Sequence, residues 1–134
     1  MNIGKRDFMI LAGAVAVTAA FPGQGLSEGK QTMYGLIGKM TAVAGKRDEL
    51  ISILLEGVAG MPGCLSYVVA KDPADADAIW ITEVWDSAES HKASLSLPSV
   101  KQAITRGKPL IAGFSNNTIT EPVGGHGLAP VKAR

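Results

Sequence analysis

Residues 78–97 read AIWITEVWDSAESHKASLSL, and this stretch, which joins an almost wholly apolar strand to a helix start and holds most of the polar groups suited to chemistry, decides the fold. From Ile79 to Trp85 every residue is β-branched or aromatic except Glu83, which suits a central strand covered on both faces. A carboxylate at such a position is costly to bury. Asp86 then stands where an N-cap belongs, with Glu89 three positions on; this capping-box spacing stops the strand and opens a helix that carries His91. One short segment therefore places Glu83, Trp85 and His91 near one another.

Upstream, Met33 to Val43 reads as a strand with Tyr34, Leu36 and Met40 on one face. After Gly45, Leu50, Ile51, Leu54, Leu55, Val58 and Met61 recur at helical spacing, with Lys46, Arg47, Asp48, Glu49 and Glu56 toward water. Met61-Pro62-Gly63 ends that helix, Cys64 to Lys71 reads as a second strand, and the acidic turn from Asp72-Pro73 to Asp77 leads back into the central strand. Downstream, Leu97-Pro98 breaks the chain and Pro98 suits a new first turn, with Val100, Ala103, Ile104 and Gly107 facing inward. Phe114 to Glu121 is the expected last strand. The order strand, helix, strand, strand, helix, strand predicts an α+β, ferredoxin-like split β-α-β sandwich with a four-stranded antiparallel sheet.

The 134 residues suffice for one domain, spanning residues 33–121. Lys5 and Arg6 precede an uncharged run from Phe8 to Phe21, and Thr18-Ala19-Ala20 offers small residues to a signal peptidase, so residues 1–20 read as a signal peptide of general-secretion or twin-arginine-like type. Residues 21–32 read as a linker, and the glycine-rich residues 122–134 as a flexible tail or an arm that docks on a partner. An exported, periplasmic protein without a stable membrane anchor after cleavage follows; an uncleaved N-terminal anchor is the alternative reading. Removal of Lys5, Arg6 and Asp7 would leave the mature chain formally neutral, starting from 13 basic and 12 acidic residues. No basic stripe favours a nucleic-acid partner. Cys64 stands alone and the two histidines lack ligand spacing, so neither an internal disulfide nor a dedicated metal site is expected.

Taken in this order, the residues resemble the antibiotic biosynthesis monooxygenase family over about Met33 to Glu121. The likeness rests on the early strand, the helix start Gly45-Lys46-Arg47-Asp48-Glu49-Leu50, the Met61-Pro62-Gly63 turn, Glu83-Val84-Trp85, and Ser87 to His91 before the Leu97-Pro98 break. The resemblance implies a homodimer whose two sheets pack face to face as a dimeric α/β barrel. It also implies cofactor-independent oxidation of a small quinol or phenolic compound by O2. Haem-degrading members of the family use an asparagine on the first strand and a tryptophan on a later helix; Tyr34 to Val43 and Ala88 to Lys108 lack these, which disfavours that reading.

Such chemistry needs a base, donors that hold an oxyanion, and a dry apolar slot. His91 is the expected base, because an ordinary imidazole titrates nearest neutrality, and Glu83 is expected to orient it or to act as the base itself. A structural role is the alternative for each: a helix-surface or dimer-contact histidine, and a hydrogen-bond acceptor on a strand. Tyr34, Tyr67, Trp80, Trp85 and Asn116 are the candidate substrate-binding residues, with the two tryptophans on opposite strand faces. A non-catalytic module that binds a small aromatic, or serves as a structural dimer, is the rival; a titratable group in the pocket separates the two. A lyase or isomerase of the same barrel type is a third possibility.

Overall fold

The computed structural model of this chain describes residues 32–130. The expected signal peptide, all of the linker but its last residue, and residues 131–134 of the tail lie outside the described residues. The elements are β1 (Tyr34–Ala42), α1 (Arg47–Gly57), β2 (Cys64–Lys71), β3 (Ala78–Trp85), α2 (Ala88–Ser94), α3 (Pro98–Gly107), a 3₁₀ turn (Lys108–Leu110) and β4 (Ile111–Thr120). All strand pairs are antiparallel, in the order β2-β3-β1-β4. This is the expected α+β, ferredoxin-like fold. The sheet is open, with β2 and β4 as its edges.

Strand parity separates the two faces of the sheet. Ile79, Ile81, Glu83 and Trp85 of β3 are buried beneath the helices, whereas Trp80, Thr82 and Val84 point to the opposite, uncovered face. The core joins Ile79 and Ile81 to Met40, Leu50, Leu54 and Ile111. Each such side chain contributes roughly 1.5–3 kcal/mol through its removal from water. The face away from the helices leaves Ile37 and Val68 exposed.

Three local expectations are corrected. Ser87, not Asp86, caps α2: its Oγ accepts the Ser90 N–H at 3.1 Å. The Asp86 N–H is already committed to the Gly63 carbonyl at 2.9 Å, so the chain turns into the helix one residue later. On α1 the buried residues are Leu50, Ile53, Leu54 and Gly57, and Leu55 is exposed. The helix is rotated toward α3, where a Cβ on Gly57 would meet that of Ala103 at 2.5 Å, so glycine permits the close crossing. Finally, β4 starts at Ile111, three residues before the expected Phe114.

Arg47 at the start of α1 ties the helix to the β2–β3 turn, donating to the Asp75 carbonyl at 2.9 Å. The described part of the tail, residues 122–130, contains neither helix nor strand. It leaves β4 beside the start of β1, where Pro122 lies over Gly35, and its Ala129 N–H donates to the Leu65 carbonyl of β2 at 2.9 Å. The tail thus crosses the end of the sheet on its own chain.

Candidate active site

Between the helices and the sheet lies an apolar pocket that opens to solvent. The sheet supplies Met40, Tyr67, Ile81, Glu83 and Trp85 to its wall. From above, α1 contributes Leu54, α2 His91 and Ser94, and α3 Val100 and Ile104. The polar groups gather where β3 passes under α2; α1 and α3 bring apolar side chains.

Glu83 is 5% exposed and flanked in register by Leu36 of β1 and Tyr67 of β2. Trp85, two residues on and therefore on the same face, donates its indole N–H to Glu83 Oε1 at 2.8 Å. His91 is 2% exposed, and its Nε2 lies 3.8 Å from the same Oε1, beyond hydrogen-bond length. Its ring is held edge-on to Trp85, with centroids 5.3 Å apart at 78°, and is tilted against Tyr34 at 5.2 Å. The Ser94 hydroxyl donates to the His91 carbonyl at 2.6 Å, steadying the helix that carries the ring.

Burial governs the proton affinities. It raises the Glu83 carboxyl to about 7, a shift partly opposed by the Trp85 hydrogen bond. It lowers the His91 imidazole to about 4. The expectation that His91 titrates near neutrality is thereby corrected, as is the alternative of a surface histidine. Tyr34 and Tyr67 are raised by burial first and by the Glu83 charge second, and the same causes push the Cys64 thiol up to about 11. Near neutral pH, Glu83 is therefore the described pocket group that gains and loses a proton.

Of the residues singled out in the sequence, Glu83, His91, Trp85 and Tyr67 line this pocket, and Tyr34 backs the His91 ring. Trp80 does not: on the uncovered face its indole N–H donates to Asp72 Oδ2 at 2.9 Å, beneath Lys39. Asn116 does not either. It is exposed, with φ +54°, in a bulge where β4 slips against β1 between Ile37 and Lys39. Ser94 and Leu95 were not anticipated as lining residues, although their three- and four-residue offsets from His91 put them on its side of the helix. Among the described residues no three His, Cys, Asp or Glu side chains converge as a metal site would require.

A split β-α-β sandwich with a carboxyl–histidine pair in an apolar pocket narrows the class, and sequence comparison makes it definite. Residues 33–106, more than half of the chain, match the antibiotic biosynthesis monooxygenase family, and the chain belongs to that family. A crystal structure of a candidate antibiotic biosynthesis monooxygenase from Chloroflexus aurantiacus J-10-fl shares 69% identity, covering 73% of this chain and 100% of its own, with a TM-score of 0.72. A candidate antibiotic biosynthesis monooxygenase from Caulobacter crescentus CB15 has the same fold at 21% identity, covering 70% of this chain and 92% of its own, with a TM-score of 0.64. PA3566 from Pseudomonas aeruginosa is similar in fold, with 21% identity, coverage of 70% and 97%, and a TM-score of 0.61. No curated protein matches the chain.

Proposed function

We propose that this protein is a monooxygenase that oxidises a small phenolic compound or quinol with O2, needing no metal or flavin, and that it works as a homodimer. The observation that carries this reading is the Glu83 carboxyl, buried beside His91 at the polar end of an apolar pocket; that burial pushes its proton affinity up to about 7. Its place in the pocket favours a catalyst over a passive binding module, because a module needs no group that exchanges protons there.

The steps balance without an external reductant. Ionised Glu83 takes the proton of the bound hydroxyl. The resulting oxyanion gives one electron to O2, and the aryloxyl and superoxide radicals combine at a ring carbon bearing hydrogen. Glu83 returns its proton to the peroxide, the O–O bond breaks, and the ring hydrogen leaves with the departing hydroxide as water. One oxygen atom stays as a carbonyl, and the arene supplies all four electrons. Neutral His91 walls the pocket and offers one ring nitrogen to the substrate; it does not serve as the base. The base must be close to the working pH to be effective, and burial brings Glu83 there.

The test is oxygen uptake by the purified full chain with a panel of phenols and hydroquinones, less the uncatalysed rate. The wild-type rate should rise through about pH 7, as Glu83 ionises. Glu83→Gln should lower it by about 10²- to 10⁴-fold, the usual contribution of a general base. Full activity in that variant would remove Glu83 from the role, and no uptake above autoxidation with any substrate would favour the binding module.

A further inference from the structure

We propose that Trp85 is a positioning residue for this chemistry: its indole N–H holds Glu83 Oε1 and so leaves Oε2 aimed at the substrate hydroxyl. The inference rests on the reading of Glu83 as the base. Its support is geometric. The 2.8 Å bond from Trp85 Nε1 is the hydrogen bond that the described residues give this carboxylate. Trp85 is itself 1% exposed and cannot swing away. Leu36 and Tyr67, in register on either side, confine the carboxylate laterally. His91 Nε2, at 3.8 Å, is too distant to hold it. Glu83 Oε2 accepts no hydrogen bond from a described residue, and Glu83 lines the pocket.

The choice of donor matters chemically. An indole N–H only donates and carries no charge. It stabilises the carboxylate enough to fix one oxygen, whereas an arginine or lysine would keep Glu83 ionised at a basicity too low to draw a proton from a phenol. The titratable groups that face Glu83 are Cys64 and Tyr67 from β2, Tyr34 from β1 and His91 from α2. The first three are raised and His91 is lowered, so a displacement of the pH profile near neutrality reports on Glu83.

The test replaces Trp85 in the full chain with β-(3-benzothienyl)alanine, which keeps the bicyclic shape and substitutes sulfur for the N–H. Two readouts are followed: the Glu83 carboxyl titration, by carbon NMR of selectively labelled glutamate, and the pH profile of phenol-dependent oxygen uptake. Loss of a hydrogen bond to a charged group should move both midpoints upward by about one to two pH units. At neutral pH the turnover number should fall, with KM nearly unchanged. A purely packing role would leave both midpoints in place, and an unmoved Glu83 titration overturns the proposal whatever the rate. A moved titration without oxygen uptake from either protein instead overturns the phenol-oxidation reading, and with it any catalytic use of the hold.

Discussion

Glu83 and His91 enter the fold with opposite displacements of their proton affinity, and their effects on stability oppose each other. Glu83 rises from 4.5 to about 7, so the stability present below pH 4.5 is lost as pH climbs through 7. His91 falls from 6.5 to about 4, so the stability present above pH 6.5 is lost as pH drops through 4. Each spans roughly 3 kcal/mol, since one pKa unit is about 1.4 kcal/mol. Between pH 4.5 and 6.5 the two slopes nearly cancel, and the wild type should show a plateau there. Glu83→Gln should unmask the histidine: urea unfolding between pH 4 and 8 should show the variant gaining on the wild type by about 3 kcal/mol toward the alkaline end. A constant difference across that range would mean that the carboxyl is not buried in its charged form.

At the scale of elements, α2 is the one whose placement matters most, because His91 depends on it. At 7 residues it is too short to hold itself by helix propensity. Ser87 caps it, and the preceding β-strand is fastened to the Gly63 carbonyl by the Asp86 N–H. Gly63 has φ +83°, and a Cβ there would come within 2.5 Å of Ser90. Ser87→Ala should cost about 1 kcal/mol, lowering Tm by about 4–8 °C for a domain of this size. Gly63→Ala combines left-handed backbone with a clash at α2 and should cost more. Calorimetry ranks the two; an equal or smaller loss for Gly63→Ala would show that the loop relaxes freely. The Asp86–Glu89 spacing promised a capping box, but local spacing says nothing about the turn across the sheet that claims Asp86 first. Likewise, the apolar stripe of α1 ran wide enough to include Leu55, and the packing of α3 chose the Ile53 side instead.

For the whole molecule, the consequence of β3 is a sheet that carries large apolar side chains on both faces. Helices cover one of them. The other presents Ile37, 37% exposed, and Val68, 52% exposed, beside Trp80 and Val84. A second copy packed on this face is the homodimer proposed above, and removing such side chains from water is worth about 1.5–3 kcal/mol each. Sedimentation should give a dimer at micromolar concentration, and Ile37→Glu should give a folded monomer, since a charge would be stranded in the contact. A monomeric wild type would overturn the assembly.

The succession of strands and helices along the chain and the meeting of Glu83, Trp85 and His91 in one short segment were legible in the sequence, because side-chain periodicity and turn chemistry act locally; the order of the strands in the sheet came from the structure. The division of labour between the two tryptophans followed from parity alone, yet which of them would reach the pocket depended on which face the helices covered. The proton affinities were legible only as the cost of burying a carboxylate at Glu83, not in which group would titrate near neutrality. They arise from burial, and burial is a property of everything packed around a group: an ordinary imidazole suggested His91 as the base, whereas enclosure beneath α2 made it a poor one and brought Glu83 to neutrality. Asn116 shows the same dependence, since the slip of β4 against β1 that turns it outward exists only once the two strands are paired.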